Sequence, residues 1–507
     1  MPPQIIHLPD GQSITVTPVF AGLFFKSNEL TAHHSAFPIG WTIVIHTQDD
    51  ESDDTEDGKE KAGEGSTHLH SFTKPTLQND SLFISSISSP SSADFKPAAS
   101  PTRQVAMMLW VTLYWYFHQP APPSTLATVA SKLTPEAGKP RGEWIVRIKR
   151  EGVLSRRSLI PKLERMGLLA SYSSAVGTAL DDSDDAWSDL FITQRMFWQI
   201  PGRLFLFTLQ PVDKDSRSYP CSPTTSRPTS PAQADVPPQL AACNALDIPG
   251  APHPPSLTNV PSFPIGPFFS ASHLPTYYPP APLHYTITNH VRHPLRPKPP
   301  RMGEVFYTRF IPSVGQYLSF RVASISPKPV PYLGPVGPKP PSQSHLCSMT
   351  DTALLETWHA KPRVSAFWGQ YGSMFLANAL QSRHSFPVIG LWDGVPFGYF
   401  ELYWVKEDLL GRYAGATIDD WDRGCHVLIG EEWARGRVQT WLTSLVHWMF
   451  CADYRTMSIC LEPRVDNTRF IQHLECAGFT KEKEIAFPHK QAWFGRLRRE
   501  NWEGPAL

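Results

Sequence analysis

The chain has 507 residues and a mass of 56.8 kDa, too much for one ordinary hydrophobic core, so two or more domains are expected. Lysine plus arginine and aspartate plus glutamate number 46 each, a formal net charge of zero, which excludes a global field that would draw the protein to nucleic acid or a membrane surface. Fifty-two prolines beside 12% aromatic residues point to two large folded blocks interrupted by proline-rich inserts.

The seven cysteines are odd in number, widely spaced and without a C-x-x-C pair. Neither a disulfide framework nor a zinc ribbon is expected, and a reducing compartment fits best. The stretch "MPPQIIHLPDGQSITV" lacks a basic region followed by an apolar core, and no run of about 18 apolar residues occurs, so the expectation is a soluble, cytoplasmic protein. Pro505-Ala506-Leu507 shares its final leucine with the peroxisomal address S-K-L but lacks the basic middle residue, which leaves a peroxisomal location as the alternative.

Along the first block, residues 1–210, the segments "QIIHL", "SITVTPVF", "GLFF" and "GWTIVIH" are short strands separated by Asp-Gly, Gly or Pro. The acidic run from 47 to 66 is too poor in apolar residues to offset its ordering entropy and is expected to be a disordered loop; His68 and His70 beside it are read as solvated rather than metal-binding. "QVAMMLWVTLYWYFHQ" predicts a buried helix ended by Pro120. "GEWIVRIKREG" predicts a strand, and "RRSLIPKLERMGLLAS" a short helix closed near Gly167.

Residues 211–282 form a Pro/Ser/Ala-rich linker, and 326–345 a proline-rich insert within the second block, 283–507. That block continues with a helix at "DTALLETWHA", a hairpin at "FPVIGLWDGVPFGYFELYWV" turned at Asp393-Gly394, and a strand from His426 to Ile429. Val438, Leu442, Leu445, Val446 and Met449 recur on one helical face. "RTMSICLEP" is a strand, "NTRFIQHLECAGF" a helix and "AWFGRL" a last strand, a mixed α/β pattern.

The two blocks echo each other. "SLIPKLERMGLL" lies over "RFIQHLECAGFT" with Ile, Leu-Glu and Gly at matching offsets, each after an aromatic-rich helix and a strand, which favours a duplicated fold. Where the second block has "EPRVDN" between strand and helix, the first has "KREGVLSR". One working half and one degenerate half follow.

The blocks "DTALLETWHAKPRVSAFWGQYG", "HSFPVIGLWDGVPFGYFELYWVKEDLLGRYAG", "DWDRGCHVLIGEEWARG", "LEPRVDNTRFIQHLECAGFTKE" and "FPHKQAWF", between about 290 and 500, resemble the siderophore acyltransferase branch of the GNAT superfamily. The resemblance implies a GNAT fold, in tandem here, whose substrates are acyl-CoA and an N-hydroxylated side-chain amine, N5-hydroxyornithine in fungi. Acetyl-CoA is the preferred donor and anhydromevalonyl-CoA the close second. No metal or bound organic cofactor is implied; hydroxyornithine against hydroxylysine, and the oligomeric state, stay open.

In such a fold the strand Val427-Leu428-Ile429 splays from its neighbour and holds the pantetheine, and the next turn holds the pyrophosphate at a helix N-terminus. "GEEWARGRV" occupies that turn, with Arg435, Gly436 and Arg437; only Gly436 remains of the usual glycine pattern. The resemblance implies His426 as the base, with Asp466 orienting it or holding the substrate ammonium, although Arg464 occupies the family's aspartate position. Backbone N–H groups around Leu428 are expected at the oxyanion. Asn467 is assigned to the cofactor, and Trp368, Arg423 (with Asp422), Glu462, His489 and Lys490 to the acceptor.

Plainer readings stand beside these. His426 on an apolar run is a core histidine, Trp368 a core residue, and Glu462 and Asn467 helix caps. Arg423, Asp422, His489 and Lys490 are surface charge. Cys425 is excluded as a partner of His426, since adjacent strand residues point to opposite faces. A GNAT enzyme acting on another amine, or a pseudo-GNAT scaffold without catalysis, are the rival functions.

Overall fold

The computed structural model describes residues 2–28, 40–48, 69–88, 100–126, 128–156, 158–172, 189–206 and 284–507. The linker 211–282 and all but the first two residues of the acidic run 47–66 lie outside them. Thr47 and Gln48 are not loop: they pair with His70 and Leu69, and His70 lies in a short exposed strand.

The first half is a nine-stranded sheet. Its strands are β1 (Gln4–His7), β2 (Ser13–Val19), β3 (Gly22–Ser27), β4 (Gly40–Gln48), β5 (Leu69–Ser71), β6 (Asp80–Ser88), β7 (Ile145–Ile148), β8 (Ala170–Ser171) and β9 (Leu190–Thr193). They run β1-β2-β3-β4-β6-β7-β9-β8, with β5 beside β4. Helix α1 (Pro101–Phe117) starts with proline in its first turn, where no amide partner is lost. Every residue from Val105 to Phe117 is buried, so apolar side chains all round the helix are what packing demands. Helices α2 (Ile160–Arg165) and α3 (Gln194–Trp198) complete this half.

The second half opens with a clasp, β10 (Tyr285–Thr288) and β11 (Val291–Pro294), and then builds an eight-stranded sheet. Its strands are β12 (Val305–Ile311), β13 (Gln316–Val322), β14 (Ser385–Trp392), β15 (Val395–Trp404), β16 (Arg423–Ile429), β17 (Ser458–Leu461), β18 (Thr480–Phe487) and β19 (Lys490–Arg498). The order is β12-β13-β14-β15-β16-β17-β19-β18. Helices α4 (Asp351–His359), α5 (Pro362–Trp368), α6 (Phe375–Gln381), α7 (Leu409–Ala414), α8 (Val438–Ala452) and α9 (Thr468–Cys476) connect them. The proline-rich stretch 326–345 forms neither helix nor strand until its last two residues, which begin the 3-10 helix Ser344–Ser348. Tyr332 anchors it, its hydroxyl within 3.0 Å of Ser319 and donating to the Pro335 carbonyl at 2.9 Å.

The duplication is visible strand by strand. β4 and β6 are antiparallel, β6 and β7 parallel, and β9 pairs antiparallel with β7 and β8. β15, β16, β17, β19 and β18 repeat that pattern, with α1 in the place of α8 and α2 in the place of α9. The single parallel step is where the sheet opens: β16 stays paired with β15 from Arg423 to Ile429, but meets β17 only at Arg423 and Gly424.

In the first half the same opening is plugged. Gly152 has φ +55° and lies so close to β6 that a Cβ there would come within 2.3 Å of the Ile84 carbonyl oxygen. Only glycine lets the turn Gly152–Ser155 press onto the strand edge. The two halves share one buried core. Polar bonds also join the halves, a buried one from the Tyr317 hydroxyl to the Leu8 carbonyl (3.2 Å) and an exposed one from Arg195 to the Glu500 carbonyl (2.6 Å).

Candidate active site

The hairpin β14–β15 sets the register of the site. Asp393 and Gly394 at its turn have φ of 48° and 83°, both in the left-handed region that a two-residue hairpin turn requires. With β15 so placed, Glu401 stands opposite His426 of β16. Tyr399, Glu401 and Tyr403 alternate along β15 and share a face.

On that face His426 is held between two carboxylates. Its Nδ1 lies 3.2 Å from Glu401 Oε2 and its Nε2 3.1 Å from Glu462 Oε1. Glu462 directly follows β17, so it reaches across the opening between the parallel strands. Tyr403 donates to Glu462 at 2.8 Å and Tyr399 to Glu401 at 2.7 Å, and Lys490 Nζ donates to the Glu462 carbonyl at 2.7 Å. The Tyr403 ring lies 4.6 Å from the imidazole.

Burial alone would pull the imidazole down, but the hydrogen bonds and charges of Glu401 and Glu462 outweigh it and lift His426 to about 10. Burial likewise opposes ionisation of Glu462, yet His426, Lys490 and Tyr403 bring its carboxyl down to about 2. Glu401 is lowered in the same way, mainly by His426 against its burial. At neutral pH the group is therefore an imidazolium between two carboxylates, with a third of the histidine side chain (34%) still open to the cleft.

The cleft has a volume of about 570 Å³ and runs from this cluster along the open edge of β16 to the start of α8. Carbonyls on that edge are engaged: Val427 accepts from Trp368 Nε1 at 3.1 Å, Ile429 from Arg363 at 2.6 Å and Gly430 from Lys361 at 2.9 Å. In an extended strand the N–H and C=O of one residue point the same way, so the N–H groups of Val427 and Ile429 also face the cleft. Leu428, between them, points its backbone at β15.

His426, Glu462, Trp368, His489, Lys490, Val427, Leu428, Ile429, Arg435 and Asn467 all border the cleft. Asn467 makes no side-chain capping bond to α9, so capping does not account for it. Gly436 sits in the turn with open space around its Cα. Three expectations are corrected. Asp466 does not orient His426: its carboxylate is exposed and pairs with Arg464 at 2.6 and 2.8 Å. Arg423 is buried on the opposite face, stacked over Trp404 at 3.9 Å, and burial lowers it to about 10. Arg437 turns away to Gln316 (2.7 Å) and the Trp392 ring (4.9 Å). Asp422 is also buried; desolvation raises it to about 6 despite Arg496 at 3.2 Å.

Glu401, Tyr403 and Arg363 were not foreseen. The signal for the first two was the alternation in "GYFELYW", but the partner of that face depends on register. Among the described residues no cluster of His, Cys, Asp and Glu has metal-holding geometry, and no helix is long and apolar enough to cross a membrane.

Comparison with known proteins fits this architecture. Residues 348–487 match the family model described as an acetyltransferase (GNAT) domain. The chain is 55% identical to N5-hydroxyornithine acetylase sidL of Beauveria bassiana, over 97% of this chain and 100% of that protein. The chain belongs to the GNAT-superfamily siderophore acyltransferases. It is also 38% identical to an Escherichia coli N(6)-hydroxylysine O-acetyltransferase, over 38% of this chain and 56% of that one. A Beauveria bassiana N(5)-hydroxyornithine:cis-anhydromevalonyl coenzyme A-N(5)-transacylase is 31% identical, over 44% and 48%.

For a GNAT acyltransferase the cosubstrate is an acyl-CoA. The open β16 edge suits the amides of a pantetheine arm, and Arg435 with Arg469 supplies positive charge at the mouth of the same cleft. His426 and Glu462 line the same cleft.

Proposed function

We propose that the protein transfers an acyl group, acetyl in the first place, from acyl-CoA to the hydroxylated side-chain nitrogen of N5-hydroxyornithine, giving a hydroxamate and free CoA. The observation that carries the chemistry is His426 clamped between Glu401 and Glu462 where β16 and β17 part. The choice of acceptor and donor is supported by 55% identity along nearly the whole chain to a protein named N5-hydroxyornithine acetylase, against 31% to a named anhydromevalonyl transacylase.

A hydroxylamine is weakly basic and mostly neutral near pH 7, so its nitrogen attacks the thioester carbon without prior deprotonation. The tetrahedral intermediate must then lose the nitrogen-bound proton, and the departing sulfur must gain one. Both ring nitrogens of His426 are engaged by carboxylates, so the imidazolium is not itself a ready base. We assign the pairing with the acceptor's ammonium group to Glu401, the more exposed of the two acids at 21% against 5% for Glu462. That pairing weakens one of the two attractions that hold the proton on His426, so the imidazolium gives this proton to the sulfur as the C–S bond breaks, and the neutral imidazole so formed takes the nitrogen-bound proton and is restored. Glu462 holds the ring in place throughout. The N–H groups of Val427 and Ile429 are the donors available to the oxyanion.

We place the reaction in the cytoplasm, in keeping with the five free cysteines among the described residues; a punctate, peroxisomal distribution of the tagged full chain would overturn that. The decisive test of the reaction offers the purified protein N5-hydroxyornithine with acetyl-CoA and, separately, with anhydromevalonyl-CoA, and follows thiol release. Faster release with acetyl-CoA is the expected result, and no release with either donor would sink the proposal.

A further inference from the structure

Three buried arginines in the second half are matched by acids. Arg321 pairs with Asp351 at 2.5 Å, Arg296 with Glu407 at 2.7 Å, and Arg496 with Glu482 at 2.7 Å. Arg309 on β12 is an exception. It is only 2% exposed, yet no carboxylate among the described residues forms an ion pair with it. Nη2 donates to the Ala506 carbonyl, while Nε and Nη1 have no partner. A guanidinium keeps its proton inside a protein; here the charge meets only the Trp198 ring, 5.8 Å away, and two N–H groups have no acceptor.

Arg309 borders a cavity of about 80 Å³ on the seam between the halves. The other unanswered polar atoms around it are mostly donors. The indole Nε1 atoms of Trp110 and Trp198 have no partner, and His447, whose Nδ1 lies 2.9 Å from the Tyr307 hydroxyl, also borders the cavity. Indole and guanidinium nitrogens can only donate. Asp10 also borders the cavity, but its oxygens already accept from the backbone and side chain of Gln12. Arg203 lies at its edge with a partner of its own.

We infer that this cavity is a binding site for a small monovalent anion, a halide or a short carboxylate, held by Arg309 and the surrounding N–H donors. The volume admits roughly two or three water-sized groups and excludes a nucleotide or a pantetheine arm. Water alone answers hydrogen bonds but leaves the buried charge uncompensated, whereas an anion answers both. Trp110 and Trp198 come from the first half and Arg309 and His447 from the second, so the ligand bridges them. This gives the half with the plugged cleft a structural part in the enzyme, and the inference stands apart from the acyl-transfer reading.

The test uses the full-length protein. Thermal unfolding is followed in sodium chloride, bromide, acetate and gluconate at one ionic strength, gluconate being too large for the cavity. Crystals grown in bromide are measured at the bromine absorption edge. The expected result is a Tm higher than in gluconate by about 3 °C or more at saturation, with an anomalous peak in hydrogen-bond reach of Arg309. A larger rise in acetate than in the halides, with carboxylate density at Arg309 in crystals grown in acetate, would identify the short carboxylate as the ligand. Arg309→Met should lose the anion dependence, and Arg309→Lys, which retains the charge, should keep part of it. Equal Tm in all four salts, a cavity holding only water, or an undiminished effect in Arg309→Met would each overturn the inference.

Discussion

Glu462→Gln removes one negative charge beside His426 and leaves the shape of the site nearly intact. In the wild type the Glu462 carboxyl falls from 4.5 to about 2, a difference worth about 3 kcal/mol at about 1.4 kcal/mol per pKa unit. The same attraction lifts His426 from 6.5 to about 10, but a third of that side chain is exposed, and solvent screening discounts its share. The two shifts share the His426–Glu462 interaction, with Glu401 adding to the first residue's and Lys490 and Tyr403 to the second's, so they do not add. Glu462, with a depressed folded pKa, contributes stability above about 4.5 that is lost as the pH falls toward 2. His426, with a raised one, contributes stability below about 6.5 that is lost as the pH rises through 10. Both ends are fully present between pH 4.5 and 6.5.

Urea unfolding at pH 6 should therefore show a loss of about 2–3 kcal/mol in Glu462→Gln, shrinking above pH 10 where the wild-type imidazole is already neutral. Nitrogen-15 NMR of labelled histidine, assigned with a His426→Gln variant, should show the His426 midpoint falling by about one unit or more from near 10. A wild-type midpoint near 6.5, or a stability change below about 0.5 kcal/mol at pH 6, would refute the argument.

Other substitutions separate the neighbouring roles. His426→Ala should lower turnover by about a hundredfold or more, and turnover at the wild-type level with a lowered Tm would return the residue to the core. Asp466→Asn should leave Tm unchanged and turnover within about twofold, because its partner is a surface arginine; a large fall in turnover would restore it to the site. Arg423→Met should lower Tm while the KM for the acceptor stays within about twofold, since the guanidinium packs on Trp404 away from the cleft. Gly430→Ala should cost about 1–3 kcal/mol in unfolding free energy, because a Cβ there would lie 2.1 Å from the Trp358 ring.

Much of the second half was legible because its signals are local. Asp393-Gly394 between two apolar runs specifies a hairpin, and the helical spacing from Val438 to Met449 specifies α8. The echo between "SLIPKLERMGLL" and "RFIQHLECAGFT" gave the duplication, which the strand orders repeat. β18 went unforeseen: "TKEKEIAF" buries only Ile485 and Phe487, so its charges hide a strand at the edge of the sheet. The resemblance points to Asp466 in that segment, yet Glu462, four residues earlier, is the segment's acid that reaches the histidine.

What the sequence determined by itself is the order and type of the elements and the presence of a histidine on a strand before a basic turn, because short-range periodicity and turn chemistry encode those. Which groups surround that histidine was decided only by tertiary structure. Glu401 is 25 residues away and Glu462 36, and they converge because β15 pairs with β16 in one register while β17 parts from it after two residues. The same packing set the proton affinity of His426 and turned Arg423 into the core, since burial and neighbouring charge are properties of the assembled site and not of any residue within it.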